Sequence, residues 1–553
     1  MAYVAEKEKP MRVDETGVLI VGGGLAGLAT AAFLAHWGAS PVLVERHETT
    51  SRHPRARGVN ARTMELFDVL GISGRVRGTP SGRALAGNRG IRAMESLAGQ
   101  DIGELHAPYF VDTDVDISDL SPARWCLCDQ DELEPVLRDR AVELGADVRF
   151  ATELVDVTVD DSGVLAEVLD RATGERRLIR ARYLVAADGP QSPLRQRWGV
   201  GTEGEGTLAT YLNIHFRADL AAPLGDRRFI LSYVVNPDLM GALVPVDNAD
   251  NWLLHVMYDP ASGQSPRDFP EQRCVALVRS AAGIADLDVK IQSVLPWEAA
   301  GRWATRLRRG PVFFVGDAAH VMPPTGALGS NTGIQDAVNL AWKLAGVLRG
   351  VAGAELLDSY ESERLPVARA TVQQAVLRSR DRPVLLGEEF EGSAEILPDR
   401  VVHFGQRYRS TAVVGGDTAA VPADADPVWV DHCDGTPGTR APHAPVRLDG
   451  RPASVLSLFG AGWTVVLGAE AAVDDTVAAV AADLDLPVTV HRIGADVLLD
   501  DPVGSQPYAD AQLVLLVRPD GHVAWRAAAD ALPDPGQALR DALTGVLSRG
   551  GSR

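Results

Sequence analysis

Between Val18 and Trp37 the chain runs for twenty residues without a formally charged side chain, and three consecutive glycines, Gly22, Gly23 and Gly24, stand inside that run. Twenty apolar residues are enough to span a bilayer as a helix. Consecutive glycines weaken the centre of any helix, and no convincing basic n-region or cleavage-site pattern accompanies the run. The alternative is a buried strand, a tight turn and a buried helix. Val18–Val21 is short, apolar and largely β-branched, and Leu28–Trp37 carries a helical pattern. Pro41–Glu45 supplies a second strand, which completes a βαβ unit within about thirty residues. The glycines fall as Gly22-x-Gly24-Leu25-Ala26-Gly27, a G-x-G-x-x-G pattern that lets a helix N-terminus approach a pyrophosphate. Glu45 lies eighteen residues beyond Gly27 and ends the next strand, where a carboxylate can accept from a ribose hydroxyl. Dinucleotide binding is therefore expected. The blander reading is a glycine turn that serves helix–sheet packing alone.

The remainder of the chain is large enough to surround such a unit. Its 553 residues suggest three or four domains. A formal charge of −20 argues against nucleic acid or an anionic membrane as the main partner. Cys126, Cys128, Cys274 and Cys433 show neither C-x-x-C nor zinc-ligand spacing, so no metal site is expected and a reducing cytoplasm fits best. Met1–Pro10 reads as a polar tail. Arg62–Leu70 and Asp129–Leu144 read as helices, and Val148–Phe150, Leu154–Val159 and Val164–Val185 as strands. From about Gly199 to Pro296 short strands dominate, at Tyr211–Phe216, Phe229–Val235 and Trp252–Tyr258, with one helix at Arg273–Ala281. Val312–Val315 resumes the parallel sheet and Ile334–Leu348 is a strong helix. Gly415–Asp426 is a polar linker, and strand, helix and hairpin patterns follow at Trp463–Leu467, Asp475–Leu484 and Val514–Trp525.

Two further motifs narrow the class. Tyr183-Leu184-Val185-Ala186-Ala187-Asp188-Gly189-Pro190-Gln191-Ser192-Pro193-Leu194-Arg195 has a D-G-x-x-S-x-x-R form. Val312–His320 contains Gly316-Asp317 and continues through Pro323-Pro324-Thr325-Gly326. In this order and spacing, the three motifs resemble those of the class A flavoprotein aromatic hydroxylases, relatives of para-hydroxybenzoate hydroxylase and phenol hydroxylase. The resemblance covers Gly17–Ala370 most strongly and implies FAD as the dinucleotide. It assigns FAD contacts to Gly22, Gly24, Leu25, Ala26, Gly27, Glu45, Arg46, Arg55, Gln130, Asp188, Asp317, Pro324, Gly326, Gly329, Ser330 and Asn331. Pro54–Gly58 with Arg62–Glu65 resembles the segment beside the isoalloxazine. Asp129–Glu134 resembles the family's Q-x-x-L-E helix start. In the loop Pro323–Asn331 the Ser330 and Asn331 amides should face the flavin pyrimidine edge, although Ala327 and Leu328 stand where family members often have Gly and Gln. For Asp188 the local alternative is an Asx turn that caps the next helix.

The resemblance implies an α/β (α+β overall) fold: a Rossmann-like FAD-binding domain at 11–198 and 290–395, an inserted mainly antiparallel substrate sheet at 199–289, and a thioredoxin-like domain without C-x-x-C at 400–553. Parts of 75–125 are expected to join the substrate sheet. The terminal likeness rests on Gly438–His443, Leu458–Trp463 and Leu516–Arg526. The implied reaction uses NAD(P)H, with NADPH preferred, and O2 to hydroxylate a phenolic aromatic substrate through a flavin C4a-hydroperoxide. The likeness to the aromatic polyketide branch favours a polyketide-derived substrate. A simple phenol, or a Baeyer–Villiger, epoxidising or ring-rearranging outcome, is the alternative, and a flavin-binding partner protein without activity is the non-enzymatic one. Tyr211, Tyr233 and Arg55 are the candidate acid–base assistants, with core packing the plainer role for a strand tyrosine. His320 and His443 read as structural. The expected partner is a small aromatic molecule, bound by a monomer or homodimer.

Overall fold

The computed structural model describes residues 12–105, 116–380, 395–415, 428–431, 433–501 and 505–549. The Met1–Pro10 tail and all of the Gly415–Asp426 linker except Gly415 lie outside the described residues. The uncharged run begins in the strand Val13–Val21, turns through the glycines into the helix Leu25–His36, and leads to the strand Val42–Val44. Val13–Val21 pairs in parallel with both Val42–Val44 and Arg176–Ala186, and the latter pairs in parallel with Val312–Phe314. A parallel sheet covered on both faces requires strands that are apolar on both faces. Leu19, Ile20, Leu43, Val185 and Phe313 are accordingly fully buried. Leu25–His36 packs against the helices Gln130–Glu143 and Leu328–Leu348. Burial on nearly every side explains why this helix tolerates no charge. Among the described residues no helix is long and apolar enough to cross a membrane.

A second sheet has eight strands in the order His320–Val321, Lys290–Ala304, Thr202–Arg217, Asn251–Tyr258, Leu239–Pro245, Leu231–Asn236, Ile91–Met94 and Asp101–Leu105. All its pairs are antiparallel except Leu231–Asn236 with Ile91–Met94. The expected boundary at residue 289 cuts this sheet, because Lys290–Ala304 runs against nearly the whole of Thr202–Arg217. Pro296 and three register shifts break the alternation that would have marked the pair in the sequence. The helix Glu271–Ala282 covers one face, where Leu212, Ile214, Phe216, Trp252, Leu254 and Val278 form a core. The opposite face carries Tyr211, Asn213, His255 and Trp297 and turns toward the nucleotide-binding domain, whose His53 and Arg57 reach Ser293 and the Pro245 carbonyl.

The helix expected after Asn331 instead starts at Leu328. Gly329, which read as a loop residue, lies inside it, and at Gly333 the helix approaches another backbone. A Cβ on Gly333 would sit 3.0 Å from the Cα of Gly316.

The terminal region pairs Trp463–Leu467 with Val488–Arg492 in parallel, and with the hairpin Leu513–Val517/Val523–Ala528 in antiparallel fashion. Its helix-covered face has no separate core. Trp463, Val465, Leu516 and Leu543 join the same buried cluster as Leu19, Phe33 and Leu344. Charges are enclosed at this junction. Glu363, from the helix Asp358–Arg380, accepts from Arg518 at 2.6 and 2.9 Å and from Lys343 Nζ at 2.8 Å, and all three side chains are fully buried. Glu65 likewise meets Arg62, Arg440 and Ser121. Burial alone would raise these carboxyls, but the facing Arg440 and Arg518 guanidiniums hold Glu65 and Glu363 below the usual carboxylate range. Replacing Glu363 by Ala leaves Arg518 and Lys343 without it, a loss of about 3–5 kcal/mol, read as a lower denaturant midpoint. Carboxyls with depressed pKa stabilise the fold above their unfolded values near about 4 and lose that contribution as pH falls through the folded ones. The midpoint should therefore drop on acidification below about pH 4.5, and less steeply in E363A than in the parent.

Candidate active site

The glycine turn separates two demands. A Cβ on Gly27 would lie 2.0 Å from the Gly22 carbonyl oxygen, and one on Gly22 would lie 2.2 Å from the Ala187 oxygen, so the protein's own packing requires both glycines. At Gly24 a Cβ would meet nothing nearer than Glu134 Oε1 at 3.8 Å, and the backbone φ of −82° suits any residue. The bare face at Gly24 is one that the fold does not need and that leaves room for a phosphate. Leu25, Ala26 and Gly27 form the first turn of a helix with no side-chain cap and no acidic residue there. Its free N–H groups carry about half a unit of positive charge. Glu45 lies beside them, with Oε2 accepting from Gly23 N at 2.6 Å and Oε1 from His47 N at 2.9 Å. Oε1 also meets His47 Nδ1 at 2.5 Å, so the lone pair left for a ribose hydroxyl is on Oε2. Arg46 is exposed at the rim.

Two expected contact residues are engaged locally. Gln130 donates to Glu134 Oε1 at 2.7 Å and accepts from Ala56 N at 3.4 Å, while Glu134 Oε2 accepts from Ser51 N at 2.7 Å. The pair fixes the segment 51–56 along the cleft. Asp188 accepts from Ser192 Oγ at 2.6 Å and from Leu194 N at 2.9 Å, the Asx-type cap weighed above. Burial raises its pKa despite these bonds. The motif still joins the site through Arg195, whose Nη1 donates to the Ala318 carbonyl at 2.8 Å, next to Asp317. Asp317 itself is exposed, although protein surrounds it closely enough that desolvation raises its pKa, against the pull of His320 and Arg55. An accessible carboxylate at the floor of a crowded cleft is free to accept from ligand hydroxyls.

The loop to the second helix completes the cleft. Pro324 is exposed, and its carbonyl accepts from Ala327 N at 2.9 Å. Gly326 and Ala327 have positive φ, +83° and +52°, before the helix starts. The second value identifies Ala327 as a left-handed position that glycine fills at least cost. Gly329, Ser330 and Asn331 are in the first helical turn, which again has no side-chain cap. The Asn331 side chain is spent on structure. It accepts from Asn60 N at 3.0 Å and donates to the Gly58 and Ala327 carbonyls, which leaves the backbone amides of this turn to face a ligand. Two helix N-termini without side-chain caps, an open carboxylate and a glycine face without a packing role together fit FAD.

Tyr211, Tyr233 and Arg55 are not brought to one point. Both tyrosines are on the cleft-facing side of the sheet, but two strands separate theirs, a distance of about 14 Å at ordinary strand spacing. Tyr211 stacks on Trp297 with ring centroids 4.6 Å apart. Arg55 is exposed and close enough to Asp317 to lower its pKa. One site residue that sequence reasoning did not find is Asp336, which accepts from Gly316 N at 3.2 Å and meets His320 Nε2 at 2.6 Å and Arg364 Nε at 2.7 Å. It holds the Asp317 loop against the helix. Its only sequence signal is a charge on an otherwise apolar helix face. Among the described residues no group of three His, Cys, Asp or Glu side chains is placed to hold a metal ion.

Comparison with known proteins agrees with this geometry. Residues 15–375 match the FAD binding domain family, and residues 434–550 match the aromatic-ring hydroxylase C-terminal family. The tetracenomycin A2 monooxygenase-dioxygenase of Streptomyces glaucescens is 40% identical over 98% of each chain. The 4-methyl-5-nitrocatechol 5-monooxygenase of a Burkholderia species is 42% identical over 97% of this chain and 98% of its own. The solved structure of aklavinone-11 hydroxylase with FAD and aklavinone superposes with a TM-score of 0.86 at 36% identity, covering 97% of this chain and 99% of that one. The chain belongs to the FAD-dependent aromatic-ring hydroxylases. It is a flavin-dependent monooxygenase.

The contrast between the glycines gives a test. Gly24→Val should keep the parental unfolding midpoint of the flavin-free protein yet bind FAD at least about tenfold more weakly, because only the ligand meets the new side chain. Gly27→Ala should fail to accumulate as folded protein. Flavin absorbance after gel filtration and thermal denaturation of the stripped proteins measure both.

Proposed function

We propose that this enzyme hydroxylates a phenolic ring of a polyketide-derived aromatic molecule, with FAD in the cleft and NADPH, in preference to NADH, as transient electron donor. The observation that carries the proposal is the meeting, in one cleft, of two uncapped helix N-termini and the open Asp317 with a sheet face bearing the flat Tyr211–Trp297 stack. When bound, FAD takes two electrons from the nicotinamide and activates O2 for transfer of one oxygen atom to the ring. The chain's own residues bind and orient. Leu25–Gly27 N–H groups hold the pyrophosphate, Glu45 and Asp317 accept from sugar and ribityl hydroxyls, and the turn at Gly329–Asn331 stabilises negative charge on the flavin ring. The Tyr211–Trp297 stack offers a wall for a fused aromatic and keeps water from one side of it.

The 4-methyl-5-nitrocatechol 5-monooxygenase is as similar in sequence, at 42% identity, as the tetracenomycin A2 monooxygenase-dioxygenase at 40%, which supports a small phenol as the second reading. Location in a reducing cytoplasm, as a monomer or homodimer, belongs to the same proposal and agrees with four free cysteines.

The test is NADPH oxidation by purified holoenzyme with 1,2-dihydroxyanthraquinone, phenol or 4-nitrocatechol, followed by product mass. The expected outcome is faster NADPH oxidation with the polycycle and a product heavier by one oxygen atom. Acceleration by the monocyclic phenols alone establishes the second reading. NADPH oxidation that no aromatic accelerates removes both.

A further inference from the structure

Four partly or fully buried polar atoms on the cleft-facing side of the substrate sheet have no hydrogen-bond partner among the described residues: His53 Nε2, Asn213 Oδ1, His255 Nδ1 and Trp297 Nε1. His53 and Asn213 are only 5% and 4% exposed. Native proteins leave few such atoms unpaired, and each calls for a reason. His53 and Asn213 lie within reach of each other, so the unmet demand is that of His255 Nδ1, Trp297 Nε1 and the second lone pair of Asn213 Oδ1, which a ligand can supply.

The four side chains form a patch. Asn213 and His255 face each other across neighbouring strands in direct register, with Cβ atoms about 5 Å apart. Trp297 is on the other flank of Asn213's strand, opposite Tyr211, and its ring lies 5.9 Å from that of His255. His53 comes from the nucleotide-binding domain and is held over the sheet by a 2.7 Å bond between Nδ1 and Ser293 Oγ. Asn213 stands close enough to favour a proton on His53. Burial, with His215 and Arg55 nearby, nevertheless pushes the pKa of His53 down to about 4. Burial, Arg57 and His53 do the same to His255. Both imidazoles are neutral at physiological pH, so each free ring nitrogen is either an N–H donor or a lone pair. His215 stands outside the set, because its Nε2 meets Asn251 Oδ1 at 2.6 Å.

Chemistry sets what can fill the patch. Trp297 Nε1 only donates and Asn213 Oδ1 only accepts. The occupant must show an acceptor oxygen and an O–H group on the same edge, with a flat body to lie along Tyr211 and Trp297. We infer that this patch grips the oxygenated edge of the aromatic substrate, with Asn213 accepting from a ring hydroxyl, Trp297 donating to a carbonyl oxygen, and His53 and His255 completing the contacts. The inference rests on the aromatic hydroxylase reading and deepens it. The substrate class is a fused aromatic with a free hydroxyl and a carbonyl along one edge, and the four residues are positioning residues.

Titration of the holoenzyme without NADPH, followed by flavin absorbance, tests this with three probes. These are 1,2-dihydroxyanthraquinone with both functions, 1,2-dimethoxyanthraquinone without the O–H donors, and 2-hydroxyanthracene without the carbonyl. Asn213→Leu should weaken the dihydroxy compound about tenfold and leave the dimethoxy compound unchanged. Trp297→Phe keeps an aromatic stack on Tyr211 and removes only the donor. It should weaken both anthraquinones about tenfold and leave 2-hydroxyanthracene unchanged. FAD content reports folding, and if N213L loses its flavin the W297F series decides alone. Variants that keep the wild-type order of affinities, in an enzyme that still oxidises NADPH faster with aromatics, overturn the inference and leave the hydroxylase reading intact. A wild-type enzyme whose NADPH oxidation ignores every aromatic overturns the reading itself.

Discussion

One buried carboxylate sets the spacing of the cleft. Asp336 lies within the helix Leu328–Leu348 and receives Gly316 N, His320 and Arg364 at once. Burial would raise its pKa, but the facing Arg364 guanidinium and the hydrogen bond from His320 hold it below the ordinary range, so it stays ionised. Arg364 passes the constraint on, with donors to the Thr332 carbonyl, Gln406 and Tyr408. The loop that presents Asp317 and the N-terminal end of the helix Leu328–Leu348 are thus fixed to the same charge. Such a centre costs desolvation energy, which the three bonds to Asp336 and the facing charge of Arg364 offset while they fix its geometry.

The acidity of the chain makes the source of positive charge in the cleft informative. With a formal charge of −20, the surface as a whole repels a dinucleotide. Within the cleft the backbone at Leu25–Gly27 and Leu328–Asn331 offers positive charge, since neither helix end has a side-chain cap or an acidic residue in its first turn. Backbone dipoles bring no long side chains that must be ordered, and they leave the walls free for aromatic contacts.

Local features were legible in the sequence and non-local ones were not. The strand, glycine turn and helix from Val18 to Trp37 could be read because each depends on neighbours a few residues away. The same holds for Asp188, whose two carboxylate contacts fall within six residues and favour the capping alternative. Strand order depends on partners far along the chain. Tyr211 and Tyr233 looked equivalent as candidates, and only the order of the intervening strands separates them. The boundary expected at residue 289 falls at the start of Lys290–Ala304 because Pro296 and the irregular register hide a strand that only pairing with Thr202–Arg217 defines. His53, Asn213, His255 and Trp297 come from four segments, and none belongs to a motif. Glu363 and Arg364 were silent for the opposite reason: buried charges and Pro366 blur the helical pattern of Asp358–Arg380.

The junction with the terminal domain bears on how the protein is made. Glu65 waits for Arg440, 375 residues later, and Glu363 for Arg518, 155 residues later. Trp342 likewise finds Trp463 only across the same junction. While the ribosome is still producing the last strands, the nucleotide-binding half has its glycine turn and helices, but Glu65 has only Arg62 and Glu363 only Lys343 as facing cations, and Trp342 is uncovered. It is then at its most exposed to non-native association. Completion of this junction is thus tied to the end of translation, and a chain that stops short would display these groups to the cell's quality-control machinery.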